Sequence, residues 1–358
     1  MPDDDRPRYG GEDLRRFMQG VMEHHGMPTD DAVIASTNLV DADMSGVDTH
    51  GISNFVGHWH YAPGLGDGSV SPNPTLTVLR DTPVSAALDA GRGFGPLVAD
   101  RAMALAIDKA TQTGIGMVTV RDGCHFGATG TYARKAADAG MIGMVACHTA
   151  PAVVAPGGSE KVVGPNPMAF AAPVTGRHPF VLDMATTTAA GTKLQVARRR
   201  GEAIPLGWAV DGDGRGTTDP DAALAGGLLS LGSGDGGGHK GFGLAMVVDI
   251  LSGVLSGTGP GLTTAFGPEW RQGGWFAAWR VDTFVDPEQF AADMVHLTES
   301  IRGSRRAPEA PPILVPGDRQ AASRADRAVR GVPLDDAVVA SCQELAARTG
   351  VPFPSPMG

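Results

Sequence analysis

Cysteine is scarce in this chain of 358 residues. Cys124, Cys147 and Cys342 are the only three, and they lie far apart. Their odd number and wide spacing exclude a disulfide framework, and they lack the paired spacing that builds structural zinc sites. We therefore expect reduced thiols.

Positive charge is also in short supply, since 29 Lys and Arg residues face 39 Asp and Glu residues, for a net charge of −10. Nucleic-acid binding needs a basic surface that displaces counterions, so no nucleic-acid partner is expected. Long hydrophobic runs are missing too, because Asp249 and Gly253 interrupt residues 244–255, and no membrane association is expected. The acidic first residues lack the order of a secretion signal, which predicts a cytoplasmic protein.

Apolar residues and glycine are plentiful. Apolar residues make up 42% of the chain, enough to fill the core of one large domain or two ordinary ones. The 51 glycines are about twice the usual share. They indicate many tight turns and close approaches of the backbone, and such places often bind ligands.

The pattern of apolar residues, glycine and proline predicts a mixed α/β chain. Three segments are proposed: a helical segment over 1–75, a central domain over 76–300, and a helical segment over 301–358 that packs on the N-terminal helices. Residues 241–255 are apolar on nearly all sides and predict a buried helix. The other predicted elements are helices over 12–25, 29–44, 97–113 and 129–139 and strands over 115–120, 141–148 and 180–184.

Two loops carry histidines that do not continue an apolar period. His50 follows the second helix among small polar residues, and His125 precedes a predicted helix with a Gly-Ala-Thr-Gly first turn. Imidazole transfers protons near neutral pH. The first-turn amides after His125 are suited to a phosphate, although a histidine that caps its own loop remains an equal alternative.

A Gly-x-Gly-x-x-G pattern spans residues 232–237 but does not indicate a Rossmann site. The fingerprint needs a preceding hydrophobic strand and an acidic residue about 20 positions later. Here residues 222–231 form only a weak strand candidate, and Asp249 comes too early. Lys240, near the start of the following helix, is nevertheless well placed to meet a phosphate.

Other catalytic or metal sites find little support. There is no Gly-x-Ser-x-Gly elbow, and the adjacent residues Cys124 and His125 seldom face each other productively. A metal site at His50 would need nearby carboxylates, but helical spacing turns Asp41 and Asp43 to different faces. No metal is expected.

Eight segments together resemble the malate/L-lactate dehydrogenase family, which includes ureidoglycolate, sulfolactate, diketogulonate and cyclic-imine reductases. The resemblance covers residues from about 10 to 320 and keeps the order of the motifs. The segments are GVDTHGIS (46–53), DAGRGFG (89–95), HFGA (125–128), GPNPMAFAAP (164–173), LDMAT (182–186), the run from GWA (207–209) to TDP (218–220), GHKGFGL (238–244) and VPGDR (315–319).

The resemblance implies an α/β (α+β) fold with a non-Rossmann nicotinamide-binding domain, whose mixed sheet is largely antiparallel, and a helical domain from the terminal segments. It implies an NAD- or NADP-dependent 2-hydroxyacid dehydrogenase with its active site near a homodimer interface. His50 resembles the catalytic acid/base, and Thr49 stands where a serine often supports it. The residues that resemble cofactor contacts are His125, Phe126, Gly127, Ala128, Thr149, Asp183, Met184, Ala185, Lys240, Asp318 and Arg319.

One departure concerns the substrate. Several family members carry an arginine four residues after the catalytic histidine, whereas this chain has Asn54. A neutral amide does not replace an ionic clamp, so the substrate carboxylate is expected to meet backbone amides or a basic residue such as Lys161, Arg199 or Arg200.

The expected reaction moves a hydride between nicotinamide and C2 of a small 2-hydroxy or 2-oxo acid. A cyclic-imine reductase acting on pyrroline- or piperideine-2-carboxylate is the alternative within the same class. A lyase or hydrolase without a redox cofactor, or a degenerate binding protein of the same fold, is the alternative outside it.

Overall fold

A computed structural model of the chain describes residues 6–264 and 267–358, apart from the Asp235 side chain. The strands are β1 Arg8–Tyr9, β2 Thr77–Asp81, β3 Ser85–Asp89, β4 Ile115–Gly123, β5 Met141–Cys147, β6 Val153–Val154, β7 Lys161–Val163, β8 Met168–Ala172, β9 Phe180–Met184, β10 Ala209–Val210, β11 Gly227–Leu228, β12 Gln272–Arg280 and β13 Val332–Pro333. The helices are α1 Gly11–His24, α2 Thr29–Met44, α3 Ile52–Gly57, α4 Ala62–Asp67, α5 Gly95–Thr113, α6 Thr129–Asp138, α7 Gly191–Arg200, α8 Pro220–Ala225, α9 Gly238–Asp249, α10 Pro287–Arg302, α11 Asp318–Arg330 and α12 Asp336–Thr349.

A seven-stranded mixed sheet forms the centre, in the order β2-β3-β4-β12-β5-β8-β9. The pair β3 and β4 is parallel, and the other neighbouring pairs are antiparallel. The expectation of a mixed, largely antiparallel sheet is therefore confirmed. Such a sheet lacks the all-parallel strand order on which a Rossmann cofactor site depends.

Helices cover both faces of this sheet. On one face, α5 packs on β4 and β12 while α6 packs on β5 and β8. Proline in the first turn of α5 and the left-handed Gly114 after its last turn (φ 92°) set its bounds. The other face of β12 contacts a π-helical segment, Ile250–Val254, that continues α9.

A second apolar cluster joins the two ends of the chain. α1 buries Leu14, Phe17, Met18, Val21 and Met22, whose spacing places them on one face of the helix. These side chains share a cluster with Val332, Leu334, Cys342 and Leu345 from the C-terminal part. β1 and β13 also pair antiparallel. The division of the chain near residues 75 and 300 stays a prediction.

A smaller four-stranded sheet, in the order β10-β11-β6-β7, lies between β5 and α9 in the chain. Its core takes Val153 and Leu228 from the strands, Leu194 from α7, Ala223 from α8 and Ala245 from α9. α9 therefore contributes to this layer while it also reaches the central sheet.

The helix expected over residues 241–255 is present and begins at Gly238. The expectation that it is buried was wrong, because several apolar residues on one side of it are exposed. The exposed residues are Met246, Val247, Ile250, Val254 and Leu255. Apolar composition on all sides predicted burial, but within a single chain only one side finds a partner. No helix in the described part of the chain is both long and apolar enough to span a membrane.

Candidate active site

One edge of the central sheet gathers the loops that carry the predicted site. β4, β5 and β9 run parallel to one another, because one antiparallel strand separates each successive pair. Their carboxyl ends therefore lie at the same edge. His125, Thr149 and Ala185 come within two residues of those ends.

The loop that carries His50 is held by a buried carboxyl group, that of Asp43. Asp43 Oδ2 accepts a hydrogen bond of 2.9 Å from the Ile52 N–H, and the Arg327 guanidinium donates to the Asp43 carbonyl. A Cβ atom at Gly51 would overlap the Asp43 carboxylate, so only glycine lets the loop pass this close. His50 is thus fixed from α2 on one side and from the start of α3 on the other.

His50 is half-buried and has two polar neighbours. Thr49 Oγ1 lies 2.8 Å from His50 Nδ1, and a hydroxyl group is able to donate to or accept from that nitrogen. Burial lowers the pKa of His50, while the Asp183 carboxylate raises it in part. The ring is therefore neutral at physiological pH, and a carboxylate stabilises the imidazolium that forms when it accepts a proton.

Asp183 also closes the amino end of α6. Its two carboxylate oxygens accept from Thr129 Oγ1 and from the Gly130 N–H, both over 2.8 Å. A Cβ atom at Gly130 would lie 2.7 Å from one of those oxygens. An external carboxylate therefore caps this helix, and a phosphate at the same place would meet its negative charge. The phosphate that was suggested from the first turn of α6 is thus not favoured there.

His125 has its Nδ1 atom fixed as an acceptor. The Gly127 N–H donates to it over 3.2 Å, and Tyr61 Oη lies 2.6 Å away. A backbone N–H only donates, so Nδ1 is unprotonated and the neutral ring carries its hydrogen on Nε2. Burial raises the pKa of Tyr61 well above its usual value, which keeps it a neutral hydroxyl.

The same device fixes two more histidines, His58 and His60. The His60 N–H donates to His58 Nδ1, and the His125 N–H donates to His60 Nδ1, each over 3.1 Å. Both neutral rings therefore carry the hydrogen on Nε2, and His60 uses it to donate to the Pro268 carbonyl over 3.3 Å. Burial is the main cause that lowers the pKa of His58 to about 3 and that of His60 to about 4.

His50, His125 and His58 form a row of imidazoles. Ring centroids are 5.6 Å apart between His50 and His125 and 4.9 Å apart between His125 and His58. Behind the row, Trp270 stacks on His60 with centroids 5.5 Å apart and an interplanar angle of 12°. Sequence reasoning missed His58, His60, Tyr61 and Trp270. The run HWHY at 58–61, four consecutive ring side chains after a short helix, carried a usable signal.

The structure brings some of the predicted cofactor residues to the His50 edge and leaves others elsewhere. Gly127 and Thr149 are half-buried there, and Thr149 N–H donates to Asn166 Oδ1 over 2.9 Å. Phe126 instead points into the core against Phe276, with ring centroids 5.8 Å apart, and is 1% exposed. Only its backbone is therefore available to a ligand.

The remaining predicted contacts differ in their surroundings. Lys240 is exposed in the first turn of α9. Met184 and Ala185 are half-buried beside Asp183, and Ala128 is buried. The Asp318 carboxylate already accepts from Arg302, His178 and the Val315 N–H, so its oxygens serve the structure around α11. Arg319 is exposed next to it.

The basic residues considered for the substrate carboxylate do not act on His50. Lys161 Nζ donates to the Leu224 carbonyl, and Arg199 and Arg200 are exposed at the end of α7. Within the described residues, the only charge that shifts the pKa of His50 is that of Asp183.

The buried thiols do not offer a nucleophile. Burial raises the pKa of Cys124 to about 12 and of Cys342 to about 12, and it also raises that of Cys147. All three cysteines are unpaired. Within residues 6–264 and 267–358, no three His, Cys, Asp or Glu side chains are arranged so that they could hold a metal ion.

Comparison with known proteins decides the family. The family model described as malate/L-lactate dehydrogenase matches residues 10–343. The chain belongs to the malate/L-lactate dehydrogenase family. The predicted family and its non-Rossmann α/β fold are confirmed, and so is the expected class of enzyme, a hydroxy acid dehydrogenase that uses a nicotinamide cofactor.

Three similar proteins illustrate the range of the family. A malate dehydrogenase of Pyrococcus abyssi is 38% identical over 98% of this chain and 97% of its own length. A delta(1)-pyrroline-2-carboxylate reductase of Ancylobacter novellus is 30% identical over 90% of this chain and 93% of its own. The solved structure of sulfolactate dehydrogenase from Methanocaldococcus jannaschii is 34% identical, covers 97% of this chain and 98% of its own, and superimposes with a TM-score of 0.89.

We predict that Asp43→Asn makes stability less dependent on pH. Burial raises the pKa of Asp43 to about 8 from its usual 3.8. A raised pKa stabilises the fold below the unfolded value, and that stabilisation is lost as pH rises through the folded value, by at most about 1.4 kcal/mol per pH unit. Asparagine stays neutral and keeps an acceptor for the Ile52 N–H. The melting temperature of the variant relative to wild type should therefore rise between about pH 4 and pH 8; a constant difference would contradict the assignment.

We predict that Asp183→Asn moves the acid limb of the oxidation rate to lower pH. The Asp183 charge raises the pKa of His50, so its removal lowers that pKa further. If His50 is the acid/base, oxidation requires the unprotonated ring and reduction the protonated one, so the reduction rate at neutral pH should fall more than the oxidation rate. The measurement is kcat/KM against pH in both directions, and an acid limb displaced to higher pH would refute the role of Asp183.

Proposed function

We propose that this enzyme transfers a hydride between a nicotinamide nucleotide and C2 of a small 2-hydroxy or 2-oxo acid of the malate or lactate type, with His50 as the acid/base. The observation that carries the proposal is the arrangement around His50: a neutral imidazole, a hydroxyl group 2.8 Å from its Nδ1 atom and a carboxylate that favours its protonated form.

The groups at the sheet edge fit a nicotinamide nucleotide. A carboxamide needs both donors and acceptors, which the His125 Nε2–H, the Thr149 hydroxyl and the backbone around Gly127 offer. The amino end of α9, where Lys240 is exposed, suits the phosphates of the nucleotide. The Asn166 side chain donates a hydrogen bond of 2.9 Å to the Ala245 carbonyl and so holds α9 against the same edge of the sheet. We propose cofactor contacts at His125, the backbone of Phe126, Gly127, Thr149, Met184, Ala185 and Lys240. The cofactor is NAD or NADP, and assays with NADH and with NADPH distinguish the two.

The chemistry divides between cofactor and protein. When bound, the nicotinamide supplies or receives the hydride. In oxidation, His50 Nε2 takes the proton of the substrate hydroxyl as the hydride leaves C2, and in reduction it returns that proton to the oxygen. For this, Nδ1 must carry a hydrogen that Thr49 Oγ1 accepts, which leaves Nε2 free to gain and lose the proton. Asp183 stabilises the imidazolium that His50 becomes when it holds the proton of the substrate hydroxyl.

We further propose that two copies associate through the exposed apolar side of α9 and its π-helical continuation. Met246, Val247, Ile250, Val254 and Leu255 are each 48% to 60% exposed and follow one another along this segment. Large contiguous apolar surfaces are typical of protein interfaces. The same segment contacts β5 and β12, so a dimer formed here would support the edge that carries the site. A cytoplasmic location is proposed because a reducing compartment suits three unpaired thiols.

Reduction of a cyclic imine is the second candidate, favoured by the similarity to the pyrroline-2-carboxylate reductase. The same hydride transfer then ends on carbon beside a nitrogen, and His50 would protonate that nitrogen rather than an oxygen. The two candidates differ in substrate and share the catalytic residue.

The assay that tests the proposal follows the absorbance of reduced nicotinamide with pyruvate, oxaloacetate and a cyclic imine, each with NADH and NADPH. Wild type should reduce a 2-oxo acid with one of the two cofactors. His50→Ala should lower kcat by about 10²- to 10⁴-fold, the usual contribution of a positioned acid/base, and Thr49→Ala should lower it less. The exposed His24 provides the control, His24→Ala. Turnover of the His50 variant at the wild-type rate would reject the proposal, and reduction of the imine alone would favour the second candidate.

A further inference from the structure

Asn54 stands where several members of the family carry an arginine, and the structure offers other groups for the carboxylate of the proposed substrate. Burial and neighbouring histidines lower the pKa of His58 and His125, and within the described residues no arginine or lysine shifts either value. Arg92 and Arg271 act on His60 instead. In the described part of the chain, the side chains next to His50, which are Thr49, His125 and beyond it His58, therefore offer a carboxylate neutral donors.

Two neutral polar side chains follow His50 in the chain: Asn54 in α3, which hydrogen-bonds to Tyr61, and His58 directly after the end of α3. Asn54 and His58 are four residues apart, and the His58 N–H donates to the Asn54 carbonyl over 2.9 Å, which places His58 directly above Asn54 at the end of the helix. Asn54 is also four residues after His50. The side chain of His58 therefore lies one helical turn beyond the position where the family arginine is missing.

The His58 ring has one nitrogen committed and one available. Nδ1 accepts the His60 N–H over 3.1 Å, so the hydrogen is on Nε2. Among residues 6–264 and 267–358, no group accepts a hydrogen bond from this Nε2–H, and the side chain is half-buried. Trp59 and His125 flank the ring, with centroids 4.6 Å and 4.9 Å away, and hold its plane. This is an oriented donor that has no acceptor in the described part of the chain, and one ring, that of His125, separates it from His50.

We propose that His58 determines substrate specificity by donating its Nε2–H to the carboxylate of the 2-oxo or 2-hydroxy acid, in place of an arginine. The inference rests on the proposed function. His58 acts in binding and does not take part in proton transfer, since His50 carries that step. A neutral N–H donor depends less on the negative charge of the substrate than an arginine does, so it accepts substrates of lower charge.

Two substitutions separate this role from a structural one. Asparagine at 58 keeps an acceptor near the position of Nδ1 but lacks a donor at Nε2, whereas glutamine places an N–H near Nε2. We expect His58→Asn to raise the KM for the 2-oxo acid by about 10- to 100-fold, the effect of losing a hydrogen bond to a charged group. We expect kcat and the KM for the nucleotide to change little. His58→Gln should recover most of the substrate affinity.

The experiment measures KM and kcat for pyruvate and oxaloacetate, together with inhibition by oxamate, an unreactive analogue of pyruvate. The control is His296→Asn at an exposed position of α10. His58→Phe keeps a ring against Trp59 and should behave as His58→Asn, so a folding defect in one variant does not decide the outcome. Wild-type KM values in the asparagine and phenylalanine variants would overturn the role of His58 while the proposed function stands. A wild-type enzyme that neither reduces a 2-oxo acid nor is inhibited by oxamate would reject the proposed function itself, and the role of His58 with it.

Discussion

Backbone N–H groups that point at imidazole nitrogens are the constraint on which this active site depends. The amides of His60, His125 and Gly127 each donate to the Nδ1 atom of a histidine, which are His58, His60 and His125 in turn. Because the donor cannot become an acceptor, each neutral ring keeps its hydrogen on Nε2. The backbone thus determines which nitrogen of each of these three rings is the hydrogen-bond donor.

His50 differs from these three histidines in the group that faces its Nδ1 atom, and this difference suits its proposed role in proton transfer. Its Nδ1 faces the hydroxyl of Thr49, which accepts or donates, rather than an amide that only donates. Asp183 adds a negative charge near the ring and at the same time caps α6. Asp183, which we propose to stabilise the imidazolium form of His50, is therefore held by the fold at both carboxylate oxygens, and neither oxygen would have to reorganise during proton transfer.

Much of this could be predicted from local sequence. The buried face of α1 follows from the helical period of its apolar residues, the end of α5 from Gly114, and strand β9 from the alternation of its residues. The loops that carry His50 and His125 were recognisable because they interrupt the apolar pattern. What could not be predicted depends on contacts between distant segments. The Asp183 carboxylate meets α6 from 53 residues away, and His60 receives an N–H from a residue 65 positions later. The exposure of one side of α9 could not be predicted, because amino-acid composition shows that a helix is apolar but not how many of its sides pack against other elements.

The most direct test of this account is the protonation state of the histidine nitrogens. Nitrogen chemical shifts of the protein labelled with ¹⁵N at its ten histidines, assigned by single substitutions, report which ring nitrogen carries the hydrogen. The account predicts that at neutral pH His58, His60 and His125 are neutral, with a bare Nδ1 and a protonated Nε2, while His50 carries its hydrogen on Nδ1. A protonated Nδ1 in His58 or His125, or a bare Nδ1 in His50, would contradict it.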